Sequence, residues 1–124
     1  MADDSLIKTL ADIGFMATSN NMSKQAFAIF YGLEQARPDS PVPHIGYALQ
    51  YMNKKLHKHA LDILHKKALP LDKDNPITKA FIGLALMFEG RNKESEDFLS
   101  EVSTQGDDSA KIMAKELLAH IRQS

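Results

Sequence analysis

The sequence predicts an all-α fold, an α-solenoid of three tandem helix-turn-helix units closed by a carboxyl-terminal helix. Three observations carry this expectation. Small residues stand at Gly14, Ala48 and Gly83 and again at Ala26, Ala60 and Ser95, so both series step by 34 and then by 35 positions. The position assigned to the turn within each unit, Asn21, Lys55 and Gly90, takes the same two steps. So do the larger apolar residues Ile13, Tyr47 and Ile82, and Phe30, Leu64 and Leu99. The physical reason is close approach: where two helices cross, both side chains must be small, while larger residues fill the space above and below.

The first helix is expected from Asp4 or Ser5 to Thr18, with Leu6, Leu10, Ile13 and Ala17 on one face. Asp3, Asp4 and Ser5 suit its amino end and its dipole. The second is expected from Ser23 to Ala36, with Ala26, Ile29, Phe30 and Leu33 inward, and Arg37-Pro38 closing it. Ser40-Pro41-Val42-Pro43 signals entry into a third helix, since proline is tolerated in a first turn whose amides lack intrahelical partners. That helix carries Ile45, Ala48, Leu49 and Met52, with Tyr47 and Tyr51 assigned to its inward stripe. The fourth runs from Leu56 to Ala68, Pro70 ends it, and the stretch from Leu69 to Asp74 is assigned the one-residue lengthening of the register. Asn75-Pro76 starts the fifth helix, Gly90-Arg91-Asn92 turns into a sixth ending near Ser103, and Gly106-Asp107-Asp108 breaks the pattern again. The last helix, Ser109 to Arg122, shows Ile112, Met113, Leu117 and Ile121 on one side. Such a helix covers the last open face of a repeat stack.

Composition bounds the class. The 124 residues suit one domain, with units at about 4–38, 41–72 and 75–104 and the closing helix at about 108–122. The apolar fraction of 44% fits a folded soluble protein, and no apolar run approaches the roughly 20 residues needed to span a bilayer. Met1-Ala2-Asp3-Asp4 is acidic and unlike a secretory signal, which points to a cytoplasmic protein without membrane insertion. The absence of cysteine excludes a disulfide framework and a thiolate metal site. A net charge of −1 gives no general attraction to nucleic acid. Lysines 54, 55, 58, 66 and 67 nevertheless crowd the middle unit, as a solvated helix face or as a docking patch formed by Lys54, Lys55, Lys58, Lys66 and Lys67.

These positions resemble the tetratricopeptide repeat, whose units are helix-turn-helix pairs of about 34 residues. Unit one follows the family best, with Gly14, Ala26, Phe30, Leu33 and Pro38, and unit three keeps Gly83, Leu86, Gly90 and Leu99. The family's aromatic early in the second helix is replaced by Ser23, His57 and Asn92, and the proline between units is missing after unit two. The resemblance implies a ligand groove along the first helices. Its positions here are Lys8, Ala11, Phe15 and Thr18; Val42, Ile45, Leu49 and Met52; and Ile77, Ala80, Leu84 and Met87, with Phe88 beside them. Ten of these twelve are apolar, so a groove that clamps carboxylates through lysine and asparagine is disfavoured and an amphipathic helix is the expected ligand.

A short three-unit chain with an apolar groove and a closing helix is similar to the tetratricopeptide-like chaperones of bacterial type III secretion, and in length to those that hold the needle subunit. The resemblance implies a bacterial cytoplasmic chaperone whose groove sequesters the client's amphipathic helix against premature polymerisation, together with a small helical co-chaperone. The alternative is a generic repeat scaffold that associates with itself or docks through its basic patch.

Enzyme chemistry is not expected. His57 and His59 point about 200° apart on a helix, unlike an i, i+4 zinc pair. Asp72 and Asp74 lie too near Pro76 to start a calcium loop. Neither a metal nor a cofactor is expected.

Overall fold

The computed structural model describes residues 3–123, so Met1 and Ala2 of the expected acidic start lie outside the described residues. The chain is all-α. Its helices are α1 (Asp4–Ser19), α2 (Ser23–Ala36), α3 (Val42–Asn53), α4 (His57–Ile63), α5 (Pro76–Phe88), α6 (Asn92–Gln105) and α7 (Asp108–Arg122). Helix α4 runs on into a π turn (Leu64–Ala68) and then a 3-10 turn (Leu69–Leu71). Two compact units result, Met1–Asp72 and Lys73–Ser124. In the first, α1 packs on α2 and α3, α2 on α3, and α3 on α4. In the second, α5, α6 and α7 all pack on one another.

The within-pair turn is built three times from the same hydrogen bonds. Asn21, Lys55 and Gly90 all take the left-handed conformation, with φ of 59°, 62° and 77°. Their amides donate to the carbonyls of Thr18, Met52 and Met87, and the amides one residue later, at Met22, Leu56 and Arg91, donate to Ala17, Tyr51 and Leu86. This pair of bonds is the Schellman closure of a helix carboxyl end. The return helix starts two residues after each left-handed residue, so only three residues separate the paired helices. The steps of 34 and 35 thus recur in backbone geometry.

Small residues at the crossings do more than the sequence suggests. A Cβ on Gly14 would stand 2.9 Å from the Phe30 ring, and one on Gly46, outside the repeated series, would stand 2.5 Å from three atoms of the same ring. Phe30 of α2 is therefore seated between the bare backbones of α1 and α3. In the second unit, a Cβ on Gly83 would meet Leu99 at 2.6 Å. The buried Ser95 hydroxyl donates to the Gly83 carbonyl at 2.6 Å, which explains a polar residue at a position where Ala26 and Ala60 stand in the other pairs.

Caps set the helix starts. The Asp3, Asn75 and Asp107 side chains accept from the amides of Leu6, Thr78 and Ala110 at 2.8, 3.0 and 2.8 Å. Each satisfies one amide that the first turn leaves without a partner.

Three expectations are corrected. The extra residue of the register lies between Leu64 and Ala68, inside the π turn, and not in the stretch from Leu69 to Asp74. The amide of Leu69 donates to Leu64, five residues back, which is how a helix absorbs an insertion. The buried positions agree, for Phe30, Leu64 and Leu99 step by 34 and 35, whereas Leu33, Ala68 and Val102 step by 35 and 34. Ile13 is 46% exposed, because Gly14 and Ala17 provide the face of α1 that meets α2 and α3. Ile112 is likewise exposed, since α7 buries Ala110, Ala114, Leu118 and Ile121 and residue 112 lies about 200° round the helix from 114.

These contacts predict stability effects that thermal or denaturant unfolding will measure. Gly46→Ala is expected to cost about 1–3 kcal/mol through overpacking against Phe30. Gly90→Ala, which meets no atom within 4 Å, should cost about 1 kcal/mol from its positive φ alone. Lys55→Gly should do the opposite and stabilise by about 0.5 kcal/mol, relieving the same strain.

Candidate partner-binding faces

The expected groove residues divide into core and surface. In the first unit, Ile45 and Met52 are buried at 1% and 6% exposure, because α3 is flanked by α1, α2 and α4 and offers little of its circumference to solvent. Phe15 is half-buried, its ring tilted against Phe30 at 5.0 Å between centroids. Val42 and Leu49 are also half-buried. Lys8, Ala11 and Val42 come together with Ile7, Leu33 and Pro43 around an apolar cavity of about 280 Å³. Arg37 and Asp4, paired at 3.1 Å, stand at its rim.

The other end of this α1–α3 face is closed by a polar latch. The Thr18 hydroxyl donates to the Gly14 carbonyl and accepts from the Gln50 amide at 2.6 Å, while the Asn53 amide donates to the Thr18 carbonyl at 3.0 Å. Thr18, taken as a groove position, is buried and unavailable to a ligand. Gln50 carried no sequence signal: a glutamine in an apolar helix reads as solvent-facing until its partner across the interface is seen.

In the second unit, Ala80 is fully buried in a cluster with Leu99, Val102, Ala110, Ala114, Leu118 and Ile121, and Ile77 and Met87 pack against it. Helix α7 therefore covers part of the predicted face of α5. Ala80 is corrected from groove to core with Ile45 and Met52. Leu84 is half-buried, and Phe88 is 48% exposed.

The five lysines are all exposed. Lys54, Lys55 and Lys58 gather at the α3–α4 turn, whereas Lys66 and Lys67 lie in the π turn at the other end of α4, about 12 Å or more away by helical rise. Lys66 pairs with Asp62 at 3.2 Å.

A polar cluster lies on α2 and α3. The Tyr47 hydroxyl donates to Glu34 Oε1 at 2.8 Å, and His44 Nε2 is 3.8 Å from Glu34 Oε2. Burial pushes the His44 pKa below its ordinary value; Glu34 pulls upward with less effect, and Lys67 adds to the lowering. Burial and Glu34 together push the Tyr47 phenol well above its ordinary value.

Among the described residues, no group of three or more histidine, aspartate or glutamate side chains is placed to hold a metal ion, and no helix is long and apolar enough to cross a membrane. The His59 ring is tilted against Tyr51, with 4.2 Å between ring centroids.

The lowered His44 pKa fixes the sign of a pH effect. The folded chain keeps this imidazole neutral where the unfolded chain takes up a proton. Its contribution is full above the ordinary pKa of 6.5 and is lost as pH falls below it toward the lowered value. Between about pH 7 and pH 5, wild-type melting temperature should fall more than that of His44→Gln. Parallel curves would show that His44 is not the group responsible.

Compared with known protein families and with curated proteins, the chain matches no family model and no curated sequence.

Proposed function

We propose that the protein is a non-enzymatic helix-binding chaperone built from tetratricopeptide-like repeats. The repeated Schellman turns at Asn21, Lys55 and Gly90, in register with buried Ala26, Ala60 and Ser95, support the repeat reading. The observation that carries the binding reading is the half-buried apolar strip of Ala11, Phe15, Val42 and Leu49 on α1 and α3, whose Ala11 and Val42 also line a cavity of about 280 Å³. Four apolar residues over two parallel helices suit the face of an amphipathic helix, whose anchors recur at i, i+3, i+4 and i+7. The ligand proposed is the amphipathic helix of a secretion-apparatus subunit, a needle subunit of a type III system, with a small helical co-chaperone completing a cytoplasmic complex. That assignment rests on the similarity in size, repeat number and groove character.

Magnitudes limit the affinity. Four side chains losing roughly 50 Å² each would contribute on the order of 5 kcal/mol at about 25 cal/mol per Å². Association costs an estimated 4–15 kcal/mol. The strip of the first unit therefore holds a client firmly only with help from further contacts.

A second reading is favoured by one observation: α7 already covers Ile77, Ala80 and Met87. On that reading the repeats are a scaffold whose groove is partly filled by its own closing helix.

The test is size-exclusion chromatography with mass analysis of the chain expressed alone and together with its genomic neighbours. The chaperone reading expects a soluble heteromer with a small helical protein, lost at least tenfold in affinity on Leu49→Asp with helicity unchanged. Leu84→Asp reports separately on the second unit. A monomer or homodimer that gains no partner supports the self-covered scaffold, and full binding by a folded Leu49→Asp variant overturns the assignment of the strip.

A further inference from the structure

All three tyrosines of the chain line one cavity. Tyr31 of α2 and Tyr47 and Tyr51 of α3 line it with Phe27 and Ile63, as a wide, open cavity of about 370 Å³ in the first unit. Residues 47 and 51 each lie about 160° round α3 from Leu49, so this cavity opens on a different side of the helix from the Phe15–Leu49 strip. Phe27 stacks near-parallel on Tyr47 at 5.7 Å and meets Tyr51 edge-on at 6.0 Å, which fixes the walls in place. Tyr31 is 61% exposed. Core packing does not explain one exposed and three half-buried aromatic rings gathered around a single cavity. Tyrosine is enriched instead where an apolar wall must accept a partner and remain soluble without it.

One edge of the cavity is basic. Lys54 Nζ sits 5.8 Å from the Phe27 ring centroid, and exposed Lys55 and Lys58 adjoin it at the α3–α4 turn. Of the acids on the lining helices, Asp62 pairs with Lys66, while Glu34 binds the Tyr47 hydroxyl and so stands about 10 Å along α3 from Lys54, at the far edge. Among the described residues, Lys54 at the cavity edge and Lys55 and Lys58 at the adjoining turn thus face solvent and pair with no acid of these helices. The volume is at the small end for ligand pockets, which suits a single large side chain.

We propose that this cavity is a docking site for an acidic segment of a partner protein, one large apolar side chain entering among the tyrosines while flanking carboxylates meet Lys54, Lys55 and Lys58. Single-stranded nucleic acid also uses aromatic faces and lysines, but here Phe27 and Tyr47 stack on each other and offer no free platform for successive bases. The site is independent of the helix-binding strip.

The experiment is fluorescence anisotropy of the full chain with a labelled short peptide of glutamate and aspartate around a central phenylalanine. Binding is expected to weaken as salt is raised. It should weaken at least about tenfold when the phenylalanine becomes serine, or in Tyr31→Ala or Lys54→Glu protein whose circular dichroism is unchanged. Leu49→Asp should leave it unaltered. No measurable binding, equal binding of a lysine-substituted peptide, displacement by a single-stranded oligothymidylate, or wild-type affinity in both folded variants overturns the proposal.

Discussion

The first unit depends on one side chain meeting two places where no side chain exists. Phe30 projects from α2 onto Gly14 of α1 and Gly46 of α3, so three helices share a single fully buried ring. Dispersion contacts fall off within fractions of an ångström, and a ring lying directly on backbone gains them from both sides. The second unit solves the same problem with a smaller residue, Leu99 seated on Gly83. There the Ser95 hydroxyl adds a hydrogen bond to the glycine carbonyl, satisfying a polar group that burial would otherwise penalise.

From these seats the rest follows by geometry. The Schellman closures return the chain within three residues of each helix end, which keeps paired helices close enough for the seats to form. Lys55 holds a backbone conformation that costs an L residue free energy, a sign that the turn is imposed by packing of the helices on either side. The π turn has a similar logic. One surplus residue would rotate the end of α4 by about 100° and expose Ala68; widening a single turn instead keeps both Leu64 and Ala68 in the core.

The surfaces left over are of two chemical kinds. The α1–α3 face is aliphatic and shallow, with Thr18, Gln50 and Asn53 closing one end by buried hydrogen bonds. The cavity of Phe27, Tyr31, Tyr47 and Tyr51 is aromatic and edged by lysine. A face of the first kind selects a partner by shape and apolar periodicity, and the second adds charge, which steers encounter and falls away with salt.

The sequence by itself determined the helices, their pairing and the three turn positions, because these rest on local rules: periodicity, capping and the spacing of small residues. Asn21, Lys55 and Gly90 could be named from the register, and the caps at Asp3 and Asn75 from residue type. Only the tertiary structure decided which side of each helix is spent on its neighbours. Ile45, Met52 and Ala80 carry the same apolar label as Leu49 and Leu84, and nothing local separates a buried position from a half-open one one turn away. Tyr47 and Tyr51 looked like core for the same reason, and the cavity they line exists only because residues from α2, α3 and α4, distant in the chain, end at one place. Gly46 belongs to the same class: its missing side chain has meaning only once Phe30 lies on it, and that contact spans two helices.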